Sequence, residues 1–281
     1  MKEIHVNQIT AAVRQLCMDA NYDLPADVEA ALRAAQTREE SPLCREILGD
    51  ILKNADIART NRVPICQDTS LAVFFLEVGQ DVHIVGGALE DAVNAGVHAG
   101  YIDGCLRKSA LSDPLIVRKN TGDNTPAIIH TRLVPGDRLS ITIAPKGAGS
   151  ENMSALGMLK PAQGREGVLR FVVDAVSRAG SNPCPPVIVG VGIGGTIDKT
   201  TYLAKRALLR EVGAHHPDPA IAAFEAEALA EINRLGIGAQ GFGGTVTALA
   251  VHVETFPAHL ASLPVAVNLQ CHVARHKTAV L

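Results

Sequence analysis

SNPCPPVIVGVGIGGTID, residues 181–198, is the stretch from which the fold is read. Cys184 lies between Pro183 on one side and Pro185 and Pro186 on the other, and each proline fixes its own φ and pushes the preceding residue towards extended backbone. The apolar run Val187–Val191 then reads as a buried strand, and Gly192, Gly194 and Gly195 as a tight turn. Stiff backbone around a thiol suits a ligand sulfur, but it also suits an inert core turn, because cysteine is among the most buried residue types. The run from Gly190 to Gly195 matches G-x-G-x-x-G, a weak signal when alone. It follows a Pro-Pro pair, and the chain before it does not alternate strand and helix. A Rossmann fold is therefore not expected.

Working outward, Gly164–Ala179, Lys199–Glu211 and Pro219–Leu235 read as helices, and Val246–Val253 and Pro264–Gln270 as strands. The glycine-rich turn GIGAQGFGGT spans 236–245, and the last strand runs into Cys271, His272 and Arg275. Upstream, PKGAGSENMS (145–154) reads as a loop entering a helix N-terminus, followed by an apolar helical pattern; such ends favour anions. Leu139–Ile143 and Ile128–Leu133 read as strands around a Pro135-Gly136-Asp137 turn, and Gly87–Ala99 as a helix. The segment 101–130, YIDGCLRKSALSDPLIVRKNTGDNTPAIIH, is locally basic through Arg107, Lys108, Arg118 and Lys119, either as a solvated face or as an anion-facing loop.

Earlier still, NRVPICQDTSLAVFFLEVG (61–79) places Cys66, Gln67, Asp68 and Thr69 directly before a strand at Leu71–Val78, with Val82–Val85 as its hairpin partner. A polar cluster wedged between Ile65 and an apolar strand either caps a turn or faces a polar cavity. Residues 4–58 read as three helices, in which Cys17 and Cys44 fill the core. The expectation is one compact α+β domain over 1–281, with a helical part to about residue 60 and mainly antiparallel sheets.

Apolar residues make up 47% and charged residues 20%, and the formal charge of -3 comes with no Lys/Arg run, which argues against a nucleic-acid partner. The N-terminus MKEIHVNQIT lacks a signal-peptide core, and no apolar run reaches membrane-spanning length. A cytoplasmic, thiol-reducing location is the expectation. There the six cysteines (17, 44, 66, 105, 184, 271), without a C-x-x-C pair, read as free, catalytic or metal-bound. Cys66, Cys184 and Cys271 sit at junctions of polar and apolar sequence. Three thiolates hold zinc with one open position, or a cubane cluster with one iron free of protein, and their spacing does not decide between these.

ICQDTS (65–70), NPCPPVIVGVGIGGTID (182–198) and VNLQCHVAR (267–275) resemble the α subunit of the iron–sulfur-dependent (class I) fumarate hydratase and tartrate dehydratase family. The likeness extends through RKNTGDNTPAIIH, PKGAGSENMS and RLGIGAQGFGG, and CLRKS with RKNTGDNTP and KGAGSEN favours the fumarase branch. The resemblance implies a [4Fe-4S] cluster held by Cys66, Cys184 and Cys271, and reversible hydration of fumarate to (S)-malate. L-tartrate and mesaconate are the alternative substrates. It further implies that Gln67 hydrogen-bonds the substrate, and that Arg107 with the Lys146–Ser150 loop, through Lys146, Gly147 and Gly149, receives the distal carboxylate. Asp68 would orient or deprotonate the base, and His259 would contact the substrate or its hydroxyl. Single-chain members of the family carry a further domain that supplies the base; here a separate β subunit is expected, in an α2β2 assembly. The competing class is a non-catalytic metal or cluster protein, whose structural site would close with a fourth ligand, for which Cys105 is the near candidate.

Overall fold

The computed structural model describes residues 1–281. The chain divides into two compact units, one of residues 1–25, 54–148 and 275–281, the other of residues 26–53 and 149–274. Both mix helix and sheet, and neither contains a Rossmann sheet.

The first unit begins with β1 (Lys2–His5) and α1 (Val6–Tyr22). It continues through β2 (Leu71–Gly79), β3 (Val82–Val85) and α4 (Leu89–Asp103), then β4 (Ile128–Val134) and β5 (Leu139–Lys146), and ends with β10 (Lys277–Val280). A four-stranded sheet runs β10-β5-β2-β4, antiparallel at β10–β5 and β5–β2 and parallel at β2–β4. Alternate residues of β2 (Ala72, Phe74, Leu76, Val78) and of β5 (Leu139, Ile141, Ile143) join Ile9, Val13, Leu16 and Cys17 of α1 and Val93, Val97 and Tyr101 of α4 in one core. The two helices approach closely because Gly96 and Gly100 of α4 lie against α1: a Cβ at either would stand 2.5 Å from Val13 Cβ or 2.7 Å from Cys17 Cβ.

Two expectations are corrected here. The helical reading began at Ile4, yet Lys2–His5 is a strand, and the helix starts after His5, whose Nδ1 accepts the Asn7 N–H at 3.1 Å. Val82–Val85 is a strand, but it is no hairpin partner of β2: it pairs in parallel with β1, Ile4 opposite Ile84. Both of β2's edges are taken by β4 and β5.

The second unit contains α2 (Ala26–Arg38) and the first part of α3 (Pro42–Asn61). It adds a single turn α5 (Ala148–Glu151), β6 (Ala155–Leu159), α6 (Gly164–Ala179), β7 (Val187–Gly194), α7 (Ile197–Ala207), α8 (Pro219–Asn233), β8 (Ala248–Phe256) and β9 (Leu263–Gln270). The apolar pattern after Met153, expected to be helical, is strand β6 paired antiparallel with β9. The sheet order is β6-β9-β7-β8, with β7–β8 parallel. Val187, Val189 and Val191 of β7 share a core with Val172 and Val176 of α6 and with Phe224 and Ile232 of α8. The alternate positions Gly190 and Gly192 meet α7 instead, where a Cβ would stand 2.1 Å from Ala204 O and Thr200 O respectively. The G-x-G-x-x-G match is thus a packing device: bare backbone lets a helix lie directly on the strand. Glu39, 1% exposed, secures the end of α2 to the glycine-rich turn, its carboxylate accepting N–H groups of Ser41, Thr245 and Val246 at 2.9–3.1 Å.

Candidate active site

In the first unit, the predicted polar cluster is a turn packed against the start of β2. Cys66 Sγ accepts the Asp68 N–H at 3.4 Å. The Asp68 carboxylate accepts the Ser70 N–H at Oδ1 (2.9 Å) and the Ala148 N–H at Oδ2 (3.0 Å), so it caps its own turn and the approach to α5. Gly147 is where the chain passes this carboxylate: a Cβ there would stand 3.1 Å from Asp68 Oδ2. Thr69 Oγ1 donates to the Arg107 carbonyl at 2.8 Å, tying the Arg107 loop to the same turn. The unit therefore brings together Cys66, Gln67, Asp68, Arg107, Lys146 and Gly147. Gln67 and Arg107 are exposed, whereas Lys146, the last residue of β5, is 6% exposed.

The backbone of this turn is held from behind. Ser70 sits at φ 74°, a conformation that a side-chain-bearing residue keeps only when its surroundings fix it. Buried Tyr101 donates its hydroxyl to the Thr69 and Ser70 carbonyls (2.8 and 3.1 Å), and Asn124 Nδ2 donates to Ser70 O at 3.0 Å. Burial pushes the Tyr101 hydroxyl far above its ordinary pKa, so it remains a donor at every working pH. Arg275 completes the hold, with Nη2 donating to Asp68 O (2.6 Å) and Ser70 Oγ (3.0 Å).

In the second unit, Cys184 and Cys271 lie at one end of the sheet, at the start of β7 and just past β9. Cys184 is exposed at φ 54°, after buried Pro183. Its carbonyl accepts the His272 backbone N–H at 3.3 Å and lies 3.0 Å from His272 Nδ1, which also stands 3.0 Å from Gln240 Nε2. Gln240 donates through its backbone N–H and Nε2 to Pro185 O at 2.8 and 3.0 Å. Two thiols are thus carried on turns joined by hydrogen bonds. Gly149 lies close by, since a Cβ there would stand 3.2 Å from Asn182 O. His259 does not join them. It stands in the turn between β8 and β9, exposed, with Nδ1 accepting the Ala261 N–H at 3.1 Å. The whole of β9, about 23 Å of extended chain, separates it from Cys271.

Sequence reasoning passed over His272, Gln240, Tyr101 and Asn124. The residues were in view, but the partners named above lie 31 to 88 positions away, a relation that local spacing does not carry. A mainly apolar cavity of about 420 Å³ in the second unit, lined by Arg165, Val168, Ile193, Ile221, Phe224 and Leu263, holds none of the predicted residues.

The six cysteines form no disulfide, and they separate by environment. Cys17 is buried, with its thiol pushed far up by desolvation, so it is no ready thiolate, and Cys44 is buried and donates to Gly243 O. Cys66, Cys184 and Cys271 reach the surface on turns, as does Cys105. No three His, Cys, Asp or Glu side chains converge closely enough to hold a single ion. The donor set, thiols with a backbone N–H directed at one sulfur, fits an iron–sulfur group, in which separate irons each take one thiolate.

The sequence profile described as "Fumarate hydratase (Fumerase)" matches residues 10–280. The chain belongs to the fumarate hydratase family. It is 42% identical over 274 residues, 95% of each chain, to the Methanocaldococcus jannaschii protein named "Putative L(+)-tartrate dehydratase subunit alpha". It is 32% identical over 279 residues to the "L(+)-tartrate dehydratase subunit alpha" of Escherichia coli O157:H7 and 31% identical to that of strain K12, covering 99% of this chain and 92% of each relative. This fumarate hydratase family member is accordingly a hydro-lyase, and the non-catalytic alternative gives way. No helix is long and apolar enough to cross a membrane.

Proposed function

We propose that the chain is the α subunit of a [4Fe-4S]-dependent hydro-lyase interconverting fumarate and (S)-malate, with Cys66, Cys184 and Cys271 as the cluster ligands. The observation that carries this reading is the sorting of the thiols: the three cysteines of the resembling motifs stand on exposed or half-exposed turns, while Cys17 and Cys44 are sealed in the core. When bound, such a cluster supplies Lewis acidity towards a hydroxyl leaving group and the carboxylate beside it. The chain's own residues supply the rest. Gln67 offers an amide beside Cys66, and Arg107 and Lys146 offer cations to the carboxylate that the metal does not take. Asp68, whose carboxylate accepts two backbone N–H groups, has in this reading the role of orienting or deprotonating the base. His259 stays outside this assignment because of its position at the far end of β9.

A second substrate, L(+)-tartrate, is favoured by one observation: the relatives at 42% and 32% identity are named for it. Their names also support a second, β chain, in an α2β2 assembly. Anaerobic reconstitution with iron and sulfide, followed by assay of the complex with fumarate, (S)-malate and L(+)-tartrate, tests both readings. Cluster content lost in each of Cys66→Ala, Cys184→Ala and Cys271→Ala but kept in Cys105→Ser is the expected result. Zinc without labile sulfide after anaerobic work would end the cluster reading, and turnover of tartrate alone would move the substrate.

A further inference from the structure

Arg275 is 5% exposed, and only Nη2 of its guanidinium is engaged, by Asp68 O and Ser70 Oγ. Nε and Nη1 are buried and reach no hydrogen-bond partner. No carboxylate pairs with it. The nearest in sequence to its contacts, Asp68, directs Oδ1 to the Ser70 N–H and Oδ2 to the Ala148 N–H. The other supports of the turn, Tyr101 and Asn124, are neutral. A guanidinium keeps its charge at every working pH, and a buried charge without a counter-charge is strongly unfavourable. The site therefore calls for an anion that the polypeptide does not supply.

The same turn carries the anchor for one. Cys66 Sγ accepts the N–H of Asp68, the residue whose carbonyl Arg275 grips. Buried N–H groups with no opening to solvent suit a resident group inserted during assembly, not a substrate that comes and goes at each turnover. Resting on the cluster reading above, we propose that Arg275 is the buried counter-charge and hydrogen-bond donor for the anionic iron–sulfur group held at Cys66.

The test compares the anaerobically reconstituted full chain with Arg275→Gln and Arg275→Lys. Iron and labile sulfide, the rate of iron loss to a chelator, and the reduction potential are measured for each. Both variants lose the planar fork, so a purely mechanical hold on the Asp68 turn would affect them alike; only Gln removes the charge. Arg275→Gln is expected to lose iron about tenfold faster, as groups behind a metal ligand commonly do when altered, and to shift the potential downward, since removing a nearby cation favours the oxidised form. Arg275→Lys is expected to stay close to wild type in both. Equal behaviour of the two variants overturns the proposal. If the Gln chain does not fold, the Lys chain decides: wild-type iron retention supports the charge role, and a folded Lys chain that sheds iron overturns it. A wild-type chain that takes up no iron and sulfide removes the cluster reading and this inference together, whereas a loaded wild type matched by Arg275→Gln removes this inference alone.

Discussion

His252 sits in β8 with 2% of its surface exposed and no hydrogen-bond partner at Nδ1. Burial, reinforced by the Arg210 cation, holds its pKa down at about 4, although Glu225, a hydrogen bond with the Ala207 backbone and Asp27 act in the opposite direction. The folded chain keeps the ring neutral while the unfolded chain protonates it near the ordinary value of about 6.5. The stability this provides is complete above that pH and declines as pH falls towards 4, by at most about 3 kcal/mol. Urea unfolding between pH 7.5 and 4.5 should show this decline in wild type and a flatter profile in His252→Leu; parallel profiles would assign the acid sensitivity elsewhere. At this scale, legibility depended on whether a residue broke its local pattern. Asp68 and Cys66 were visible because polar residues interrupt apolar sequence. Arg275 was visible only as the end of a strand, because its burial arises from a turn more than 200 positions away.

Among the elements, β7 and α7 lie in close contact in the second unit. Adding a methyl group at Gly192 places it 2.1 Å from Thr200 O, backbone that cannot rotate away. Gly192→Ala should destabilise the chain by about 3 kcal/mol, the upper part of the usual range for overpacking. Gly213→Ala, which meets no atom within 4 Å but has φ +97°, should cost only about 1 kcal/mol in backbone strain. Thermal unfolding of the two variants checks the order; equal losses would mean that α7 shifts to make room. Helix spans were readable from periodicity, and α6 and α8 begin where their patterns do. Strand partners were not. β3 was paired with its neighbour in sequence because a short strand after a turn reads as a hairpin, whereas its partner is a four-residue strand at the N-terminus with little pattern of its own. The stretch Ala155–Leu159 misled for a related reason: five residues are too few to separate period 2 from period 3.6.

At the scale of the molecule, the cations available to a dicarboxylate are few: Arg107 is exposed beside the Cys66 turn, and Lys146 is nearly buried. The proposed second chain should therefore be needed for turnover. The reconstituted chain alone is expected to convert fumarate and (S)-malate at negligible rates until that chain is added, and full activity of this polypeptide by itself would refute the two-subunit reading. The two cores lie outside what periodicity reports, since it cannot show that residues 1–25, 54–148 and 275–281 share one unit. That threading also orders events in time. A ribosome completes all of the second unit before it makes residues 275–281, so the unit begun first is finished last. Strand β10 and the grip of Arg275 on the Asp68 turn are therefore made only after the whole of the second unit. Until then the nascent Cys66 turn lacks the guanidinium that holds the Asp68 carbonyl and the Ser70 hydroxyl.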